Sequence, residues 1–305
     1  MAGARIWVSG LVNVETTVPV RQFPVEYYPI DYPFFGVRSA VSGVGLNVAA
    51  ALRTLGDEVV LASMTGQDFA GSQIRAELQA RSISDALVRP VLRETPASVV
   101  LHAPDGRRQV YCDLKDIQQA QLPLDEAELR EQLGRCDLAV VCNINFNRRV
   151  LASAAAAGVP IATDVHVLSD LRDGYNRDFM AAAELLFLSD EGISGSCEDF
   201  LLGLAWEYPN VQVIVLGRGR QGAMLYTRSD GRLHTCPAVS NPHIVNTVGA
   251  GDALFSGFVH QYAKGRPPLD CLNFAQAFAS YKIGFDGGAQ GFATEAELER
   301  WLGCR

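Results

Sequence analysis

The chain has 305 residues, a hydrophobic fraction of 48%, a charged fraction of 20% and a formal net charge of −8. This composition predicts a single domain over residues 1–305. The acidic net charge argues against a nucleic-acid partner. The lack of eighteen successive apolar residues argues against a membrane partner. The seven cysteines are scattered and include no Cys-x-x-Cys pair, which predicts reduced thiols. We see no signal-peptide pattern, so together these features predict a cytoplasmic protein.

Short apolar runs alternate with helical patterns along most of the chain, which is typical of a parallel α/β sheet covered on both faces by helices. The predicted strands are Ile6–Ser9, Glu58–Ser63, Leu138–Cys142, Ile161–Val165, Leu185–Leu188 and Val211–Leu216. The predicted helices are Leu46–Leu55, Gly71–Arg81, Asp125–Leu133, Arg148–Ala157, Cys197–Glu207, Ala253–Lys264 and Leu269–Phe285. Glycines stand where helix C-caps are expected, at Gly56, Gly158 and Gly265.

Two stretches break this alternation. Residues 12–40 are rich in proline and aromatic side chains, and residues 97–114 read as a hairpin with Asp105-Gly106 at its turn. We expect the two to join into a small sheet that forms a lid over a site at the carboxyl edge of the large sheet. The alternative is two surface excursions without a lid role.

A glycine-rich segment opens the helix predicted after residue 252. It reads Asn246-Thr247-Val248-Gly249-Ala250-Gly251-Asp252. Small residues let the backbone approach a ligand, and the free N–H groups of a helix start make a site for an anion. An acid there repels the anion, so Asp252 makes more sense as a base that deprotonates an attacking hydroxyl. An ordinary first-turn acid would explain Asp252 but not the Gly-Ala-Gly before it.

A second glycine motif, Ser42-Gly43-Val44-Gly45-Leu46-Asn47, opens the first predicted helix. A dinucleotide fingerprint would need Gly or Ala at the position of Val48 and a clear strand before the motif, so an NAD-dependent dehydrogenase is disfavoured. Taken alone, the motif is also compatible with a tight turn in which Asn47 caps the helix.

Together the two motifs resemble those of the ribokinase-like carbohydrate kinases, the PfkB family. Residues 246–252 match the C-terminal signature and residues 42–47 the N-terminal one, while residues 65–71 and 216–223 resemble two further glycine turns in family order. The resemblance spans the chain and implies a three-layer ribokinase-like α/β fold, with a mostly parallel central sheet flanked by helices and a small β-sheet lid. It also implies ATP and Mg²⁺.

The resemblance implies a role for each matching residue. Asp252 would be the catalytic base, and the phosphoryl group would bind the backbone N–H groups of Gly249, Ala250 and Gly251. The acceptor would bind near Gly10, Asn13, Glu15, Gly43 and Asn47. The nucleotide would lie near Gly217, Gly219, Gly222, Thr247, Gln276 and Gly288.

Two departures concern cations. Relatives commonly have an Asn-x-x-Glu that organises Mg²⁺, whereas this chain has Ser189-Asp190-Glu191-Gly192. Glu191 or Asp190 could substitute from a shifted position, and Glu191 is taken as the candidate metal ligand. Asn246 stands where relatives often have an aspartate that helps hold a monovalent cation, so dependence on such a cation stays open.

We therefore expect an ATP-dependent sugar kinase with Asp252 as general base. A nucleoside kinase, including one for pseudouridine-type substrates, is the alternative, because the aromatic side chains within residues 27–35 could stack on a base. A non-catalytic sugar or nucleotide sensor is a more remote alternative. An exposed apolar face on the lid would favour a homodimer.

Overall fold

The computed structural model describes residues 3–303. A nine-stranded sheet runs through the molecule in the order β13-β12-β11-β10-β9-β8-β1-β4-β5, and its seven strands from β11 to β5 are parallel. These strands are β1 (Arg5–Ser9), β4 (Glu58–Gly66), β5 (Leu87–Leu92), β8 (Leu138–Val141), β9 (Ile161–Val167), β10 (Leu185–Ser189), β11 (Val213–Gly217), β12 (Ala223–Thr227) and β13 (Arg232–Cys236).

A smaller, four-stranded sheet is built from the two stretches that break the α/β alternation. Its order is β3-β2-β6-β7, with β2 (Asn13–Pro19), β3 (Arg38–Ser42), β6 (Ala97–His102) and β7 (Arg108–Asp113). The inner pair, β2 and β6, is parallel, and each outer strand is antiparallel to its neighbour. Segments 12–40 and 97–114 therefore meet in one sheet, whose role as a lid stays a prediction.

Helices cover both faces of the large sheet. They are α1 (Val44–Leu55), α2 (Phe69–Ala80), α3 (Glu126–Leu133), α4 (Arg148–Ala156), α5 (Arg177–Ala182), α6 (Cys197–Glu207), α7 (Ala250–Ala263), α8 (Pro268–Lys282) and α9 (Glu295–Gly303). In β1, Ile6 and Val8 face the core layer under α1 and α7, while Trp7 faces the layer under α3 and α4. Burial on both faces explains why the central strands are continuously apolar. The mixed α/β architecture predicted from the sequence is confirmed.

The structure adds elements that the sequence did not predict: β5, β12, β13, α5 and α9. It also moves the starts of α1 and α7 to Val44 and Ala250, so each glycine motif runs across an N-cap glycine into the first turn of a helix. Gly56 is the C-cap of α1 with φ of 100°.

Among residues 3–303, no helix has the length and apolarity that a bilayer span requires. The six described cysteines, from Cys112 to Cys271, are free thiols. Cys304 and the predicted domain ends at residues 1 and 305 lie outside the described residues.

Candidate active site

The site lies where the order of the large sheet reverses. Strand β1 has β4 on one side and β8 on the other, and a crevice forms at the carboxyl ends of parallel strands at such a point. Two glycines let α1 start against the end of β1: a Cβ on Gly10 would lie 2.5 Å from Cys142 Sγ, and one on Gly45 would lie 2.7 Å from the carbonyl carbon of Gly10. Larger residues at either position would push the helix away from the strand.

The motif at the start of α1 connects directly to the one at the start of α7. Asn47 Nδ2 donates to Asp252 Oδ2 at 2.7 Å, across 205 residues of sequence. The Ser42 hydroxyl donates to Asn47 Oδ1 at 3.4 Å, which orients the amide so that its NH₂ group faces the carboxylate. The N-cap of α1 is Gly43, with φ of 101° and no side-chain cap. Asn47 is therefore not a helix cap; it holds the carboxylate of Asp252.

The turn before α7 exposes fewer N–H groups than the sequence predicted. Gly249 is the N-cap of α7, with φ of 77°, and a Cβ on it would lie 2.6 Å from the Gly288 carbonyl oxygen. The N–H group of Ala250 donates to the Thr247 carbonyl at 3.2 Å. Within the described chain, the N–H group of Gly251 has no backbone acceptor, and there is open space on the side of its Cα where a Cβ would lie. The Gly251 N–H group, together with the helix dipole, is thus available to an anion.

The carboxylate of Asp252 lies in an environment that disfavours its charge. Desolvation raises its pKa, and the nearby carboxylate of Asp164 acts in the same direction. The hydrogen bond from Asn47 and the charges of His166 and Lys282 oppose the shift. A carboxylate with a raised pKa accepts a proton more readily, which suits a general base.

A lysine missed in the sequence completes this charge cluster. Lys282 is fully buried at the end of α8, and its Nζ donates to the Gly287 carbonyl at 2.6 Å. Desolvation lowers the pKa of Lys282 to about 8, against the opposing effect of Asp252, Asp286 and Glu15. The sequence indicates the burial of Lys282 through helical spacing, because Lys282 lies seven residues after Ala275 on the buried face of α8.

Strand β2 brings two predicted acceptor ligands to the same place. Asn13 is buried; its Nδ2 donates to Ser98 Oγ at 3.0 Å, and its Oδ1 has no partner among the described residues. Burial raises the pKa of Glu15, and the charge of Asp252 adds to that effect, while Arg108 opposes it. A buried oxygen without a donor beside two carboxyl groups is suited to a ligand rich in hydroxyl groups.

Asn246 is engaged within the protein. Its Nδ2 donates to Asp286 Oδ1 at 2.5 Å, and its Oδ1 accepts from the N–H group of Val248 at 2.8 Å. The other oxygen of Asp286 pairs with Arg38 from β3. These bonds connect the turn before α7 with the turn after α8.

The predicted nucleotide glycines lie at the other end of the crevice. Gly217 ends β11, and Gly219 and Gly222, with φ of 51° and 92°, form the turn into β12. A Cβ on Gly222 would lie 2.0 Å from the Cys236 carbonyl oxygen, to which Gln276 Nε2 donates at 3.5 Å. Gln276 thus packs behind this turn.

Gly288, predicted on the nucleotide side, lies between the two halves of the site. A Cβ on it would lie 3.0 Å from Asn47 Nδ2, and its carbonyl oxygen faces Gly249.

An open pocket of about 540 Å³ separates the small sheet from the α7 turn. Phe23 and residues 106–109 line it on one side, and Glu191 and Thr247 on the other. Residues 3–303 contain no group of three or more His, Cys, Asp or Glu side chains that could hold a metal ion. Magnesium needs only one or two carboxylates when phosphate oxygens and water complete its shell, so Glu191 fits that task.

Comparisons with known proteins identify the family of the chain. The family model described as pfkB family carbohydrate kinase matches residues 8–295. An acarbose 7(IV)-phosphotransferase from an Actinoplanes species is 24% identical over 97% of each chain. A nucleoside kinase from Methanothermobacter thermautotrophicus is 25% identical over 82% of this chain and 81% of its own length.

Solved structures share the fold over the full length. A microbiome-derived acarbose kinase superposes with a TM-score of 0.86 at 24% identity, covering 99% of this chain and 100% of its own. A ribokinase from Arabidopsis thaliana, complexed with ribose and ATP, superposes with a TM-score of 0.81 at 19% identity, covering 99% of each chain. The three-layer fold expected from the sequence is therefore confirmed.

Proposed function

The chain belongs to the pfkB family of carbohydrate kinases, and on that premise we propose that it transfers the γ-phosphoryl group of ATP to a hydroxyl group of a small carbohydrate, with Asp252 as general base. One observation carries the proposal: the 2.7 Å bond from Asn47 to Asp252 joins the two glycine motifs into one site. The carboxylate thereby lies beside the Gly251 N–H group at the start of α7.

The acceptor lies between β2 and α7. Asn13 Oδ1, which has no partner among residues 3–303, accepts one acceptor hydroxyl, and Glu15 accepts another. Asp252 takes the proton from the attacking hydroxyl as its oxygen bonds to the γ-phosphorus, and the bond from phosphorus to the leaving ADP oxygen breaks in line. Positioned bases of this kind contribute about 10²–10⁴-fold to rate.

The phosphoryl group lies at the N-terminus of α7, where the Gly251 N–H group and the helix dipole stabilise its developing charge. The nucleotide extends toward Gly219 and Gly222, where the backbone turns with positive φ. Glu191 would hold Mg²⁺, which when bound neutralises charge on the phosphate oxygens.

The smaller sheet acts as the lid in this proposal. Residues 106–109, at the end of its hairpin turn and the start of β7, face Thr247 and Glu191 across the 540 Å³ pocket, so closure would shield the transfer from water. Val99 on β6 and Tyr111 on β7 are paired across the two strands and are exposed on the same face, which supports a homodimer formed through the lid. Sedimentation equilibrium checks this; a monomer at micromolar concentration would contradict it.

A nucleoside acceptor is the second candidate. The rings of Tyr32 and Phe34 stack with centroids 6.2 Å apart and are largely exposed in the segment between β2 and β3, where a base could stack on them. Relatives named nucleoside kinase and pseudouridine kinase support it, whereas relatives named for acarbose support a carbohydrate.

A screen that follows ADP release tests the proposal. Hexoses, pentoses, sugar acids, small oligosaccharides and nucleosides are offered with MgATP, and the rate without an acceptor is subtracted. Turnover with a carbohydrate and not with nucleosides supports the main proposal. Turnover confined to nucleosides selects the second candidate, and no acceptor-dependent turnover in a complete screen would contradict both.

A further inference from the structure

Lys282 is a fully buried charged side chain at the last residue of α8. Its ammonium group donates to the carbonyl oxygen of Gly287 at 2.6 Å. Burying an ammonium group is costly unless opposite charge or oxygen ligands compensate for the lost water. The carbonyl oxygen of Gly287 compensates directly, and the charges of Glu15, Asp252 and Asp286 compensate from three separate parts of the fold.

The turn that Lys282 holds is in contact with the turn before α7. Gly287 has φ of 81°, and the next carbonyl oxygen, that of Gly288, lies 2.6 Å from the position of a Cβ on Gly249. Gly288 also lies against Asn47, with 3.0 Å between Asn47 Nδ2 and a Cβ on Gly288. Any movement of residues 287–288 is thus transmitted to Gly249 and to the amide that holds Asp252.

The oxygens through which the same turns could bind a dissolved cation are in use. Asn246 Oδ1 accepts from the N–H group of Val248, and the two oxygens of Asp286 accept from Asn246 and Arg38. These oxygens are already compensated within the protein, which argues against a monovalent-cation site formed by Asn246 and Asp286 in this chain.

We propose that the Lys282 ammonium group is a built-in monovalent cation that positions the Gly249–Asp252 turn, so that the enzyme needs no dissolved potassium or ammonium ion. Lys282 is a positioning residue: it acts on the phosphoryl group through the Gly287–Gly288 turn. The inference rests on the proposed kinase function, but its structural part can be measured separately.

The charges of three carboxyl groups act on this ammonium group: Asp252 on α7, Asp286 on the turn after α8 and Glu15 on β2. They favour its charged form, and burial opposes them, so that its pKa falls to about 8. Above that pH, Lys282 loses its proton and the turn loses its cation. Turnover should therefore decline on the alkaline side with a midpoint near pH 8, a limb that a neutral residue at position 282 abolishes.

Two matched substitutions test the proposal. Lys282→Ala leaves space for a small cation, whereas Lys282→Met fills the space with a neutral side chain. We expect both variants to lose turnover by about 100-fold, and ammonium, methylammonium or potassium to restore about tenfold or more in Lys282→Ala alone, because an ion can take the vacated position. Wild-type turnover should not change when tetramethylammonium replaces potassium at fixed ionic strength.

Thermal unfolding of the same proteins separates this inference from the kinase proposal. Potassium or ammonium should raise the melting temperature of Lys282→Ala and leave that of the wild type and of Lys282→Met unchanged. Lys264→Ala is the matched control, since Lys264 pairs with Glu295 far from this turn. If no substrate is found, the melting temperatures still decide the cation role.

Three results would overturn the inference: potassium activating the wild type severalfold, Lys282→Ala keeping wild-type turnover and its alkaline limb, or a loss that no monovalent cation restores. If both variants fail to fold, the inference is tested by wild-type turnover alone, measured with potassium and with tetramethylammonium at fixed ionic strength.

Discussion

Helix α7 has a cluster of charged side chains at each end, and the two clusters differ in how fully their charges are paired. At the C-terminal end, His260 lies between Asp57, at 2.7 Å, and Glu295, at 3.2 Å, and Glu295 also accepts from Gln261 and Lys264. At the N-terminal end, Asp252 accepts one bond from Asn47, and Asn13 Oδ1 has no partner in the described chain.

The difference separates two uses of buried charge. Compensation at the C-terminal end fixes α7 against the start of β4 and against α9, and it leaves few groups for a ligand. At the N-terminal end, burial raises the pKa of Asp252, and the hydrogen bond from Asn47 only partly opposes this effect. Donors and acceptors therefore remain for a substrate. We therefore expect substitutions at the N-terminal end to change catalysis, and those at the C-terminal end to change stability.

The largest effect is expected from Asp252→Asn, which keeps the shape of the side chain and removes the proposed base. Turnover should fall by about 10³-fold, because no other group accepts the proton of the attacking hydroxyl. ATP affinity, measured by calorimetry, and the melting temperature should stay close to those of the wild type. Wild-type turnover in this variant would show that Asp252 is not the base.

At the opposite end, His260→Ala should lower the free energy of unfolding by about 3 kcal/mol, because the buried carboxylate of Asp57 loses its side-chain partner and keeps only the N–H group of Ala4 among the described residues. Urea denaturation measures the change. Turnover per folded molecule should stay within about twofold of the wild type, since additivity holds for distant sites. A large loss of turnover in the folded variant would mean that the two ends are coupled.

Asn47→Ala removes the bond that joins the two motifs. A hydrogen bond to a charged group contributes about 2 kcal/mol, so turnover should fall by roughly 30-fold. The bond lowers the pKa of Asp252, so its loss should move the acidic limb of the pH–rate profile to higher pH.

Ser42→Ala is the control for that variant, because it removes only the longer, 3.4 Å bond to Asn47. We expect a smaller fall in turnover and little movement of the acidic limb of the pH–rate profile. Equal effects from the two variants would contradict a specific role for the Asn47 amide.

The smallest effect is expected from Glu295→Gln. The pKa of Glu295 is lowered, since the hydrogen bonds from Lys264, His260 and Gln261 outweigh its desolvation. A lowered pKa adds stability at neutral pH that is lost as the pH falls through the folded-state value. Because the side chain is 40% exposed, screening reduces this contribution to about 0.5 kcal/mol. Denaturation at pH 7 and pH 3 should show the difference between variant and wild type only at pH 7.

Sequence reasoning identified the central strands because burial on both faces makes them continuously apolar. It missed β5, an edge strand interrupted by Pro90, and β12 and β13, an antiparallel pair at the other edge. Six-residue α5 is too short to show a helical period, and α9 buries few apolar side chains.

The two glycine motifs could be found because their spacing is local. Helical spacing could have placed Lys282 on the buried face of α8, but its bond to Gly287 could not be predicted, nor could the bond between Asn246 and Asp286. The bond between Asn246 and Asp286 joins segments whose contact depends on the packing of α7 on α8. The Ala250 N–H group was also misjudged, because only the folded turn shows that Thr247 already accepts from it.

The distance between Asn47 and Asp252 in the sequence has a consequence for synthesis. A ribosome must add 205 residues after Asn47 before its amide can meet the carboxylate. Until then the buried side of α1, including Leu46 and Val48, lacks the helix that covers it. The growing chain is therefore inactive, and it displays an apolar helix to chaperones until α7 has left the exit tunnel.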